Sequence, residues 1–529
     1  MKTIRIQQEN QKSQNSIHLL LFISISGVIL RLIHFVYNRS LWGDEAFLCI
    51  NFLGNQWQNL FHPPLLYSQQ APLGFLLVEK ALVTLFGSSE YVLRLFSLLT
   101  GVASIFIFLH LSKYYLEGYS RVLALCVFIL SYPVIYHSVE AKQYSCELFV
   151  SLILYAFYLR YRNADNLAYV FLYGIIGAIA IWFSYSSLFI LAAFGGIISI
   201  KLIRSQEWKK LFAYFLAFLM WLISFIPNYW FFVKPGSSIS WLTGMWEKSF
   251  MPISGKLFSW LPLTLISIMK DPMGLTWYQG NTIFLFMGVV IGMTLITLGT
   301  LRLFREDKES FFLFVTPLFL ALIASSLKVY PFHGRFILFG VPVAMILLGK
   351  GMIVVSRIFS RNVIVLYIIT VFILIPPLYN TIHHILIPES FPIHADYRRG
   401  VSFINQSSHR DSVYIPAVVG MSSVEASFNY YNQAHNYNLK HTSLTATSVT
   451  ANSREELVAK YSFICSSLKK QKAFWLVTNP IISAKIKYTK PPYPYESETN
   501  IILEAIKNIG GKVTKSMEGK TIAAYHIIF

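Results

Sequence analysis

Two adjacent carboxylates, Asp44 and Glu45, follow the first long apolar segment and are the leading candidates for catalytic acids. They are framed by Trp42 and Phe47, in a chain of 529 residues of which only 25 are Asp or Glu. A carboxylate partly withdrawn from water has a raised pKa, which would make it a usable general base toward a hydroxyl group. The alternative is that the pair caps the short helix that follows, where the helix dipole favours acids.

A second polar cluster, Ser131–Leu148, separates the third and fourth long apolar segments. It contains Glu140, which we predict to be a further catalytic acid, and Lys142 and Tyr144, which we predict to bind substrate. The alternative for Lys142 is a side chain that extends to the membrane surface and pairs with a nearby glutamate.

Four more residues are candidates for substrate binding. His333 and Arg335 lie at the start of the tenth long apolar segment, and an arginine presents a planar fork of donors that matches phosphate oxygens. An arginine that holds lipid headgroups would look the same. In the first loop, Gln70 is a polar candidate, and His62 either contacts a phosphate or fills the turn before two prolines.

The composition indicates that these residues belong to a membrane protein. The chain is 55% hydrophobic and 13% charged, whereas soluble proteins carry about 25% charged residues. Apolar runs of about 20 residues, the length that crosses a bilayer, recur over the first three quarters of the chain. Their spacing predicts about eleven transmembrane helices, at 17–37, 91–110, 119–136, 144–160, 166–184, 186–203, 209–232, 281–301, 310–327, 335–356 and 362–386.

The distribution of basic residues predicts the orientation. Sixteen Lys and Arg lie on the side of the N-terminus, and nine lie in the longer loops on the opposite side. The positive-inside rule therefore predicts a cytoplasmic N-terminus in the inner membrane, with the Asp44 loop and the C-terminal domain outside. The same rule accounts for the net charge of +19, so we expect no nucleic-acid partner.

Two domains are predicted. Residues 1–388 form an all-α polytopic bundle with outer loops 38–90 and 234–280, the latter rich in Trp and suited to an interfacial lid. Residues 389–529 are polar enough for a soluble α/β domain, with helices at 396–406, 422–433, 454–468 and 500–509 and strands at 412–419, 474–477, 512–515 and 521–528. The four cysteines form no CxxC pair, and no zinc site or disulfide framework follows.

The motifs together resemble the GT-C glycosyltransferases. The residues that carry the resemblance are the Asp-Glu pair, HPP, QQAPLGF, EAKQYS and YPFHGRFILF. The chain is most similar to bacterial relatives of protein O-mannosyltransferases and of the lipid A aminoarabinose transferase. The resemblance implies transfer of a sugar, on the outer face, from a polyprenyl-phosphate donor to a hydroxyl of a lipid, polysaccharide or protein, with inversion.

The resemblance also implies roles for the candidate residues. Asp44 would be the general base or would orient the acceptor, supported by Glu45, with Glu140 as a second acid. Lys142, Tyr144 and Arg335 would hold the lipid-linked phosphate. Apart from Asp44-Glu45 there is no DxD-like motif and no nucleotide-binding loop, so we predict no metal and no cofactor.

Two alternatives use the same lipid-linked substrates. A transporter or flippase would place ionisable groups near the bilayer midplane or in repeated broken helices, whereas here they gather at one face. A ligase or polymerase of lipid-linked saccharides usually relies on basic residues of a large outer loop.

Overall fold

The structure is a computed structural model. It describes residues 2–54, 56–62, 64–162, 166–237, 244–277, 282–390, 395–408, 411–418, 423–446, 453–480 and 497–529.

The first 390 residues form a bundle of α-helices, as predicted. Their bounds are α1 Lys2–Tyr37, α2 Gly43–Cys49, α3 Leu73–Phe86, α4 Glu90–Ser112, α5 Gly118–Leu130, α6 Tyr132–Ser138, α7 Tyr144–Tyr161, α8 Leu167–Phe183, α9 Ser187–Arg204, α10 Trp208–Asn228, α11 Lys234–Ser237, α12 Leu257–Lys270, α13 Thr282–Glu306, α14 Lys308–Ser326, α15 Val341–Ile358 and α16 Val363–Leu386. A 3₁₀ segment, Gly334–Gly340, leads into α15.

Within the described residues, eight helices are long and apolar enough to cross a membrane. The count is nine if α5 and α6, which are bent by 53° relative to each other, form one span. Each of the eleven predicted segments is helical, but α7 carries Glu147 and Arg160, and α8 has only 17 residues. A helix of that length extends about 26 Å, slightly less than the hydrocarbon core of a bilayer. The chain is an integral membrane protein.

Helices α13 and α15 pack against each other at a very short distance. A Cβ atom at Gly299 would lie 1.8 Å from the carbonyl oxygen of Leu347, and one at Gly351 would lie 1.9 Å from that of Leu295. Only glycine permits such an approach of two backbones, which is a common way to associate helices where lipid surrounds them.

The loop between α1 and α4 contains the short helices α2 and α3, and α2 continues into a 3₁₀ turn at Ile50–Phe52. The loop at 234–280 contains α12 and packs beside the Gly334–Gly340 segment through Ser249, whose carbonyl accepts from Phe332 N–H at 2.9 Å. Residues 238–243 and 278–281 lie outside the described part of the chain, so the predicted lid is only partly covered.

The C-terminal part is the predicted α/β domain. Its helices are α17 Tyr397–Gln406, α18 Ser423–Ala434, α19 Arg454–Ser466 and α20 Glu498–Asn508, and its strands are β1 Val413–Val418, β2 His441–Ala446, β3 Ala473–Thr478, β4 Lys512–Glu518 and β5 Ala523–Ile528.

The five strands form one sheet in the order β2-β1-β3-β5-β4. Strand β1 is parallel to both β2 and β3, whereas β5 is antiparallel to β3 and β4. The sequence analysis missed β2, because HTSLTA lacks the apolar alternation of a strand and is selected by its pairing with β1. The boundary at 388/389 stays a prediction.

Candidate functional site

Three segments that are distant in the chain meet at Asp44, near the start of α2. One carboxylate oxygen, Oδ1, lies 3.0 Å from Lys142 Nζ, and the other, Oδ2, lies 2.7 Å from Arg335 Nη1. The Asp44 side chain is 16% exposed. The structure therefore brings together three of the residues selected from the sequence and pairs one acid with two cations.

The expected raised pKa of Asp44 is wrong for this state of the protein. Burial raises the pKa of the carboxyl group, but the charges and hydrogen bonds of Lys142 and Arg335 outweigh burial and lower it to about 2. The carboxylate is thus ionised at neutral pH, and it is a weak base as long as both cations stay in contact.

Glu45 is buried beneath Asp44 and is held by many donors. Its carboxylate accepts from Arg94 Nε at 3.0 Å, Arg94 Nη2 at 2.8 Å and Arg39 Nη1 at 3.2 Å. The backbone N–H groups of Ala141 and Trp42 donate to it at 2.9 Å and 3.2 Å. The side chain is fully buried, so these contacts favour a positioning role over the catalytic support expected from the sequence.

Glu140 contacts the indole ring of Trp42, and its carboxylate is also buried. The indole Nε1 of Trp42 donates to Oε1 at 3.0 Å, and His137 Nδ1 lies 2.6 Å from Oε2. Burial raises the pKa of Glu140, but the charge and hydrogen bond of His137, together with the charges of Arg335 and Arg39, outweigh burial and lower it. The Glu140–His137 pair thus supports Trp42 at the edge of the site.

Aromatic rings surround the guanidinium group of Arg335. Its Cζ lies 5.1 Å from the ring centroid of Tyr144, 5.5 Å from that of Trp246, and 5.7 Å from those of Trp42 and Phe336. Ring faces attract a guanidinium and fix its plane. Tyr144, which was predicted to bind substrate, thus contacts the guanidinium group of Arg335.

A cavity of about 260 Å³ opens beside this cluster. Its lining combines aromatic rings with a few polar groups: Trp42, Tyr132, Pro133, Tyr136, His137, Trp246, Asp271, His333, Gly334, Arg335 and Phe336. A concave, mostly apolar site with convergent polar groups is the usual form of a small-molecule pocket.

Asp271 is an acid in the cavity lining that was not selected from the sequence. Its Oδ1 is buried and has no hydrogen-bond partner in the part of the chain that the structure describes. The carboxylate faces Gly334, where a Cβ atom would lie 3.6 Å from Asp271 Oδ2 and where the backbone has a φ of +46°. The available signal was an acid in an outer loop of an acid-poor chain.

The other candidates are placed less centrally. His333 is exposed at the cavity mouth, 3.4 Å from Ser267 Oγ. Gln70 has a buried Nε2 without a partner among the described residues, whereas its neighbour Gln69 accepts from Lys142 Nζ at 2.7 Å. His62 is exposed and is not among the residues that line the cavity in the described ranges, which fits the turn alternative.

The C-terminal domain packs directly on the segment that carries Asp44. The hydroxyl of Tyr431, in α18, accepts from the backbone N–H of Leu41 at 2.8 Å and lies 3.0 Å from Ser40 Oγ. A Cβ atom at Gly43 would lie 2.5 Å from Ser423 Cβ. Helix α18 thus supports α2.

No group of three or more His, Cys, Asp or Glu side chains suited to a metal ion occurs within the ranges that the structure describes. Whether the protein needs a metal therefore stays a prediction.

No family model and no curated protein sequence matches the chain. Among solved structures, it is similar to the crystal structure of ArnT from Cupriavidus metallidurans bound to undecaprenyl phosphate, with a TM-score of 0.54, 11% identity, and coverage of 96% of this chain and 97% of that one. For the apo form of the same ArnT, the TM-score is 0.52, the identity is 10%, and the coverages are 97% and 98%. The predicted helical membrane bundle with a C-terminal α/β domain is thereby confirmed: along nearly its whole length, the chain has the fold of ArnT.

Proposed function

We propose that this protein is a membrane glycosyltransferase that moves a sugar from a polyprenyl-phosphate donor to the hydroxyl of a lipid, polysaccharide or protein acceptor. The observation that carries the proposal is the contact of Asp44 with both Lys142 and Arg335 beside an aromatic cavity. The fold adds support, because the similar ArnT structure binds undecaprenyl phosphate. By the positive-inside rule, the site faces the outside of the inner membrane.

The two cations suit the phosphate of such a donor. Asp44 carries one negative charge and faces two positive charges, so the three groups together have an excess of one positive charge. A polyprenyl-phosphate sugar carries one negative charge, and its polyprenyl-phosphate leaving group gains a second as the bond to the sugar breaks. Arg335 and Lys142 would stabilise that developing charge, which is a large source of catalysis.

Donor binding would also activate Asp44. As the donor phosphate takes over contacts with Lys142 and Arg335, the cause of the low pKa of Asp44 weakens and its proton affinity rises. The carboxylate then accepts the proton of the acceptor hydroxyl. The hydroxyl oxygen forms a bond to the anomeric carbon as the bond from that carbon to the phosphate oxygen breaks. Attack from the face opposite the phosphate inverts the configuration.

The direct test is transfer from a labelled polyprenyl-phosphate sugar by the purified Asp44→Asn variant. Loss of a general base lowers the rate typically by 10²–10⁴-fold. The control is Asp411→Asn, the same substitution at a carboxylate that contacts His526 in the C-terminal domain, 2.8 Å away. Wild-type turnover by Asp44→Asn would refute the proposed base. Translocation of the lipid-linked sugar without transfer by the wild-type protein would instead favour a flippase.

A further inference from the structure

A second polar cavity, of about 710 Å³, lies at the end of the bundle away from Asp44. Helix α4 starts beside the Asp44 site, where Arg94 contacts Glu45, and ends 23 residues later at Ser112. At 1.5 Å per residue the two ends are about 35 Å apart. The first residue that lines the cavity, Lys113, directly follows Ser112. The residues that line it are Lys113, Tyr114, Tyr115, Leu116, Glu117, Tyr119, Ser120, Arg302, Glu306, Lys350, Met352, Ile353, Ser356, Arg357 and Leu366.

Two cations of this cavity are largely buried and share one acid. Lys350 is 7% exposed, and its Nζ lies 2.6 Å from Glu306 Oε2. Arg302 Nε lies 2.7 Å from Glu306 Oε1. Arg302 Nη1 is buried and has no hydrogen-bond partner among the described residues. Burying cations in a membrane protein is costly, so such groups usually serve a function and are paired.

The two cations and their shared acid lie on two helices that pack closely together. Arg302 and Glu306 lie on α13 and Lys350 lies on α15, the two helices that approach most closely at Gly299 and Gly351. Arg302, Glu306 and Lys350 therefore project from a closely packed helix pair.

The charge of the cavity is positive overall. Four cations line it against two acids, Glu117 and Glu306. An orientation signal needs only exposed basic residues at or near the ends of the spans, such as Lys113 and Arg357. It does not require the buried Lys350 or the partly unpaired Arg302.

Apolar side chains share the cavity with these charges. Leu116, Met352, Ile353 and Leu366 contribute to its wall, and Tyr119 adds an aromatic ring. Beyond it, the start of α16 presents exposed Val363, Ile364 and Tyr367. A ligand that combines an anionic head with hydrocarbon matches this surface better than a free anion does. Basic pockets between transmembrane helices are known to bind anionic lipid headgroups.

We propose that this cavity binds the phosphate headgroup of an anionic membrane lipid, with the headgroup between Arg302 and the exposed cations Lys113 and Arg357 and the acyl chains along α16. The site is separate from the Asp44 cluster and does not depend on the proposed transferase activity.

The test measures binding of phosphatidylglycerol to the purified full-length protein by native mass spectrometry. Phosphatidylcholine, whose zwitterionic headgroup has no net charge, and inorganic phosphate serve as the neutral-lipid and soluble-anion probes. The double variant Lys113→Gln/Arg357→Gln removes two exposed cations that line the cavity. The matched control is Arg204→Gln/Lys209→Gln. It removes two exposed cations that do not line the cavity and that lie at the end of α9 and the start of α10. Arg302→Gln tests the buried cation.

We expect the cavity variant to weaken binding of phosphatidylglycerol about tenfold or more, because each basic side chain near an anionic headgroup contributes to the affinity. The control pair should change it less than twofold. Equal weakening in both pairs would overturn the proposal in favour of diffuse surface attraction. Inorganic phosphate that binds wild type but not the cavity variant, and displaces the lipid, would instead define a soluble-anion site.

Discussion

The substitution Glu45→Gln tests whether the two adjacent acids have different roles. It keeps the shape of the side chain but removes the charge that compensates the buried Arg39 and Arg94, which are 6% and 2% exposed. It also places an NH₂ group against donors that now point at a carboxylate. Breaking a buried ion pair by removing one partner costs about 3–5 kcal/mol. Glu45→Gln should therefore unfold at a clearly lower temperature than wild type.

The assay is thermal unfolding in detergent, combined with hydrogen exchange of α2 and with turnover. The matched control is Glu504→Gln, whose partner Arg454 forms an exposed ion pair 2.5 Å away and should matter little. Asp44→Asn should show the opposite balance, because it loses turnover with a smaller change in stability. An inactive Glu45→Gln that is as stable as wild type would refute the positioning role and return Glu45 to the chemistry.

Three further predictions concern the same cluster. Arg335→Lys should raise the KM for the donor about tenfold, since an ammonium group lacks the planar fork of donors and the stacking on aromatic rings. Initial rates measured against donor concentration test this prediction, and a change confined to the acceptor KM would contradict it. Gly43→Ala and Tyr431→Phe should each lower turnover by disturbing the contact of α18 with α2, whereas turnover that survives removal of both contacts would show that α18 does not position Asp44. The pKa of Asp44 is lowered from 3.8 to about 2, so its ion pairs stabilise the folded state above pH 4, and this stabilisation is lost as the pH falls toward 2. The difference in unfolding temperature between wild type and Asp44→Asn should therefore be constant from pH 7 to pH 5 and shrink below pH 4.

The sequence by itself was sufficient for most of the fold. Long apolar segments must become helices in a bilayer, because every backbone polar group has to be satisfied within the segment. The polar C-terminal part alternated between helical and strand patterns and was correctly predicted as an α/β domain. Strand β2 was missed because its pairing with β1, and not its own pattern, defines it.

Several residues of the candidate site could be selected from the sequence, but the contacts between them could not. Asp44, Lys142 and Arg335 were selected because charged groups at the rim of a membrane bundle are few. Which of the two acids contacts Lys142 and Arg335 and which is fully buried could not be read from two neighbouring residues, since successive positions on a helix point in different directions.

Tertiary structure alone decided the electrostatics. The pKa of Asp44 depends on cations 98 and 291 positions further along the chain, and their contact reverses the shift expected from burial. Asp271 reaches the cavity through a loop whose path no local pattern specifies. Composition and periodicity thus determine which segments enter the membrane, because hydration and backbone hydrogen bonding act locally. The charge state of a site depends on distances between segments, and only the packed bundle sets those distances.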